Sequence, residues 1–147
     1  LTPEVFKAAC LLLYAALRHR GQHVTNTVPT FVDATGAVLR MGLMHKAGGE
    51  HLSYLGRVFQ EMVPHADTFR RYSAYLLGEY VDACVACKPP PPVRGALETS
   101  LHALFDVASS HELQLVHANL HTSPAGRALF KSEHNQYEAN VQYKGKV

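Results

Sequence analysis

Apolar residues recur at intervals of three and four along this chain and nowhere alternate with polar ones, a rhythm that matches the turn of an α-helix and excludes half-buried strands. The clearest run is Leu52, Leu55, Phe59 and Met62, in a helix predicted from about Glu50 to Val63 and closed by Pro64. Thr2-Pro3-Glu4 supplies a capping residue, a proline suited to the first helical position and an acid in the first turn. The helix it opens has Val5, Ala9, Leu12, Leu13, Ala16 and Leu17 as its expected stripe and ends near Arg20-Gly21. A second, from about Pro29 to Lys46, is expected to be capped by Thr27 or Thr30, to bury Phe31, Ala34, Val38, Met41 and Met44, and to stop at Gly48-Gly49. Asp67 is the expected cap of a long helix carrying Phe69, Tyr72, Leu76, Tyr80, Cys84 and Cys87.

Pro89 to Pro92 is predicted to be a stiff polyproline spacer, because each ring removes an amide donor and pushes its predecessor out of the α region. It divides four helices in residues 1–88 from three in residues 93–147. Leu97, Leu101, Leu104, Phe105 and Ala108 mark the fifth helix. Ser109 and Glu112 form a capping box that opens a short sixth through Leu113, Val116 and Leu120, and Ser123-Pro124 starts a last helix running past Tyr137. The expected fold is all-α, about seven amphipathic helices in antiparallel pairs within one domain, as an α-solenoid end or an irregular helical bundle.

Composition narrows the function. With 47% hydrophobic and 18% charged residues the chain can offset the entropy lost on folding, and a formal net charge of +2 argues against a domain that holds nucleic acid mainly by neutralising phosphates. No apolar run is long enough to cross a bilayer, and Leu1-Thr2-Pro3-Glu4 has no signal-peptide pattern, so the expected setting is intracellular, without membrane partners. A start on a helix signal without methionine suggests a C-terminal piece of a larger protein.

Cys84 and Cys87 form a C-x-x-C, but no second ligand pair accompanies it and it falls at a helix end, where the dipole does not lower a thiol pKa. Packing is the favoured role, and no metal or other cofactor is expected. The histidines are scattered; His19 with His23, and His117 with His121, are spaced so that each pair could share a helix face, but no metalloprotease glutamate intervenes. No glycine-rich phosphate cradle, nucleophile elbow or closely spaced carboxylate pair is present, so no catalytic residue is assigned and an enzyme is not expected.

The remaining feature is the C-terminal part, where Arg127, Lys131, Lys144 and Lys146 are interleaved with Phe130, Tyr137 and Tyr143. Basic residues among aromatics can contact phosphates and stack on unpaired bases, and the same aromatics can anchor a protein partner. The bland reading has the helix aromatics packed inward and the lysines in water. Tyr143, Lys144, Gly145, Lys146 and Val147 form a tail too short to pack alone.

Here the sequence meets a family. His111-Glu112-Leu113-Gln114-Leu115, Gly126-Arg127-Ala128-Leu129-Phe130-Lys131-Ser132, Tyr137 and Tyr143-Lys144-Gly145-Lys146-Val147 resemble, in order and spacing, the C-terminal domain of the nucleolar pre-ribosomal RNA processing family known as unhealthy ribosome biogenesis protein two, or nucleolar pre-ribosomal-associated protein two. A looser likeness covers Tyr75 to Val81, and the first 60 residues are similar only in helical character. The resemblance implies a non-enzymatic helical-repeat scaffold of the nucleolus, acting in early large-subunit assembly and pre-ribosomal RNA processing. Its implied partners are other assembly factors, including a larger helical-repeat protein and an RNA helicase, with pre-ribosomal RNA as a second candidate. Glu133-His134 and Glu138 to Gln142 depart from the pattern, where more apolar or basic residues are expected.

Overall fold

The structure, a computed structural model, describes residues 2–120 and 123–145. Its regular structure is all helical: α1 (Pro3–His19), α2 (Gly21–Asn26), α3 (Val28–Met44), α4 (Gly49–Met62), a 3-10 turn (Val63–His65), α5 (Ala66–Cys87), α6 (Pro91–Val107), α7 (Ser110–Asn119) and α8 (Pro124–Gly145). The most extensive contacts join α4 to α6, α1 to α4 and α3 to α5. Consecutive helices thus alternate between two layers, α1, α4 and α6 in one and α3, α5 and α7 in the other, bridged by α5 against α6 and α1 against α3. The tightest pair has a local cause: Gly56 on α4 faces Ser100 and Thr99 on α6, and these small residues let the two backbones close up.

One apolar core runs from Phe6 through Leu52, Leu55, Phe59, Leu76, Leu101 and Phe105 to Phe130. It crosses the proline run without interruption, and that run is shorter than expected. Pro91 and Pro92 form the first turn of α6, leaving residues 88–90 outside any helix. The first turn has no intrahelical partner for its amides, so the missing N–H of proline costs nothing there.

Several helix ends also differ from the sequence reading. Thr2 caps α1 as expected, its Oγ1 accepting from the Val5 amide at 3.3 Å. Thr27 sits at the head of α3, but its hydroxyl donates back to the His23 carbonyl at 3.0 Å, because a further short helix, α2, precedes it. Asp67 lies inside the first turn of α5 rather than at its cap, and accepts from Arg70 at 3.1 Å. The stop after α3 is made by Lys46 in the left-handed region, φ 55°, two residues before the glycines expected to do it.

The stripe read on α4 is buried throughout, whereas those on α1 and α3 are rotated. In α1 the core side is Phe6, Cys10 and Leu17, while Val5 and Leu12 are exposed; in α3 it is Phe31, Val32, Leu39 and Leu43, while Met41 and Met44 are exposed.

Candidate partner-binding surface

α8 carries the described part of the surface singled out in the sequence. Ser123 starts it, its Oγ accepting from the Gly126 amide at 3.1 Å. Along the next turns the inward positions are Phe130 and Glu133, both buried, with Leu129, His134 and Tyr137 half-buried. Phe130 is 1% exposed, its ring 5.9 Å from that of Phe105 and edge-on to His117 at 4.7 Å. The ring of Tyr137 lies 5.1 Å from that of Phe105 and edge-on to His102 at 5.5 Å, and its hydroxyl donates to Asp106. Burial, and secondarily this carboxylate, push the Tyr137 phenol up to about 12.

These contacts give Phe130 and Tyr137 the inward packing that the sequence offers beside the anchoring role. Phe130 holds α8 to α6 and α7 and Tyr137 holds it to α6, as large aromatics spaced along one helix face do when a complementary face is available. Arg127 and Lys131 remain exposed, and Tyr143 is 75% exposed. Lys144 and Gly145 end the backbone of α8, and the expectations for the Lys144 side chain, Lys146 and Val147 lie outside what is described.

Glu133, which looked out of place in the sequence, has a structural role. It is almost fully buried, and its Oε1 accepts from Arg94 Nη2 of α6 at 3.1 Å, so the carboxylate is paired where α8 crosses the start of α6. His134 beside it joins the ring cluster, 5.2 Å from Phe105. The signal for the Arg94 pairing was the lone acid on an otherwise apolar inward face, but its partner 39 positions away is not visible in sequence.

The other candidate chemistry dissolves into packing. Cys84 is buried, and desolvation pushes its thiol up to about 11 and that of Cys10 up to about 12, away from the thiolate that metal ligation and exchange require. His19 ends α1 and His23 belongs to α2, so this pair shares no helix face. His121 lies outside the described residues, and among the described residues no three His, Cys, Asp or Glu side chains are grouped to hold a metal ion. No described helix is long and apolar enough to cross a membrane.

The sequence pattern of the Urb2/Npa2 family matches residues 2–146, nearly the whole chain. The protein belongs to that family. Its likeness to the family therefore runs through α1 to α5 as well as through the C-terminal helices in which the sequence motifs were legible. As a Urb2/Npa2 member it is a factor of ribosome biogenesis and ribosomal RNA processing in the nucleus, in a family not known for enzymes. No curated protein and no solved structure matches the chain.

Proposed function

We propose that this Urb2/Npa2 chain is a scaffold module of early large-subunit assembly in the nucleolus, without catalytic activity of its own, and that it docks other assembly factors through the outer face and end of α8. The observation that carries this reading is that α8 continues beyond Tyr137, its last residue packed on the core. Residues 138–143 are all exposed, with Val141 at 48% and Tyr143 at 75%. Burying such an aromatic and a valine on a partner contributes about 2–4 kcal/mol in area terms, enough to make this end an anchor. Arg127 and Lys131, both exposed on the same helix, supply a basic rim. A larger helical-repeat assembly factor is the partner this reading favours.

The test is affinity capture from a nuclear extract, with the intact chain compared with one lacking Tyr143 to Val147, before and after nuclease. Large-subunit assembly factors that survive nuclease and vanish with the tail support the proposal. A nuclease-sensitive set whose capture falls steeply with salt points instead to an RNA-binding helix using Arg127, Lys131, Lys144 and Lys146, since released counterions make phosphate contacts strongly salt-dependent.

A further inference from the structure

At one end of the molecule the α3–α4 and α5–α6 connections enclose a cavity of about 360 Å³, lined by Leu43, Ala47, Cys87 and Val93 and bordered by Lys46 and Lys88. It shares Lys46 and Ala47 with a cavity of about 80 Å³ that reaches Pro3 and Phe6, and Lys88 and Pro89 with one of about 190 Å³ that reaches Arg94 and Leu129. The three form one trough. No carboxylate lines any part of it, and among the described residues neither Lys46 nor Lys88 has a carboxylate within ion-pair distance.

The two lysines share a second peculiarity. Among the described residues they are the non-glycine positions with positive φ, Lys46 at 55° and Lys88 at 46°. Lys46 closes α3 in a Schellman turn, with Ala47 N–H donating to the Gly42 carbonyl at 2.8 Å and Lys46 N–H to that of Leu43 at 3.2 Å. Lys88 closes α5, its N–H donating to the Cys84 carbonyl at 2.9 Å, directly before Pro89. Glycine is the usual residue for such a stop, because a Cβ is strained in the left-handed region. Lysine at both stops, each lining the same apolar cavity, brings two cations to its wall, and strained backbone of this kind concentrates at binding sites.

Independently of the α8 surface, we propose that this trough docks a short acidic segment of a protein partner. One apolar side chain seats between Leu43, Ala47, Cys87 and Val93, and carboxylates on either side of it are held by Lys46 and Lys88. The floor between Leu43, Ala47, Cys87 and Val93 carries no aromatic side chain, the exposed His45 lining only the small cavity beyond Lys46, and two unpaired cations are few for a phosphate backbone, so a peptide fits better than RNA.

The experiment uses the 147-residue chain, a fluorescent peptide of leucines flanked by aspartates, the same peptide with lysines for the aspartates, and polyuridine. Fluorescence polarisation reads affinity, and amide chemical shifts read position. The acidic peptide is expected to bind saturably, shifting Leu43, Ala47, Cys87 and Val93, while the lysine peptide does not. Lys46→Gly with Lys88→Gly is expected to weaken binding about tenfold, as loss of two partly screened charge contacts implies. The same double variant is expected to melt no lower than wild type, because glycine relieves both turns, so lost affinity is separable from unfolding. No saturable binding, equal binding of the lysine peptide, shifts elsewhere, tighter binding of polyuridine, or a lower melting temperature of the glycine variant would each overturn the proposal.

Discussion

Two glycines inside helices of this protein are expected to respond to alanine with opposite signs. Gly78 lies in the middle of α5, and a Cβ built there meets nothing within 4 Å. Gly78→Ala therefore gains helix propensity and narrows the unfolded ensemble at no steric cost, stabilising by about 0.5–1 kcal/mol. Gly42 lies near the end of α3, and a Cβ there falls 2.6 Å from Cε2 and 3.0 Å from Cζ of Phe6, where ordinary contact begins at 3.4 Å. Phe6 is 2% exposed, wedged in the core, so its ring has little room to yield. The same propensity gain is then set against overpacking of roughly 1–3 kcal/mol, for a net loss of about 1 kcal/mol. At about 2–4 °C per kcal/mol for a chain of this size, the two variants should melt on opposite sides of wild type and several degrees apart. Circular dichroism with heat and with urea reads both, and adding Phe6→Leu to Gly42→Ala should recover part of the loss through a coupling of about 1 kcal/mol. If Gly42→Ala stabilised as much as Gly78→Ala, the close approach of α1 to α3 through Phe6 would be refuted.

Three further outcomes are expected. Arg94→Ala should destabilise by about 2 kcal/mol, and by more than Glu133→Gln in urea melts, because it strands a buried carboxylate while the amide strands only the partly exposed Arg94 cation, which water can solvate; that same exposure keeps the figure below that of a fully buried pair. Ser109→Ala should cost about 1 kcal/mol by removing the α7 cap. The Ser109 hydroxyl, with its amide, holds the Glu112 carboxyl below the usual glutamate value. A depressed folded pKa means that this contribution is complete above the unfolded value and is lost as pH falls through the folded one, so melting curves against pH should show a shallower acid limb in Ser109→Ala than in wild type. Native thiol titration at mildly alkaline pH should label Cys87, which is half-buried, before Cys10 and Cys84, whose thiols burial pushes far up; simultaneous labelling of all three would contradict the packing of the C-x-x-C pair.

The candidate surface was legible only in part. Arg127, Lys131 and Tyr143 are exposed while Phe130 and Tyr137 pack inward, and the sequence does not separate the two aromatics' roles because an aromatic at helical spacing looks the same whether it meets a core or a partner. The choice was made by Phe105, His102 and Asp106 on α6, which give those rings and the phenol somewhere to go. Lys46 and Lys88 carried no signal at all, since lysine is a common surface residue and a positive φ cannot be read from its identity.

Local physics in the sequence determined that the chain is helical and where α1, α7 and α8 begin: Thr2, the Ser109–Glu112 box and Ser123-Pro124 act within one turn of themselves, and their hydrogen bonds need nothing from the rest of the fold. Tertiary structure decided which face turned inward. On α4 the apolar residues occupy one side and leave no alternative, so the stripe was readable. On α1 and α3 they spread over two adjoining sides, and periodicity alone cannot rank Val5 and Leu12 against Phe6 and Cys10, or Met41 and Met44 against Leu39 and Leu43. That ranking came from the helices they pack on, α4 for α1 and α5 for α3, and from contacts such as that of the Phe6 ring with Gly42, between positions 36 residues apart, which no local pattern encodes.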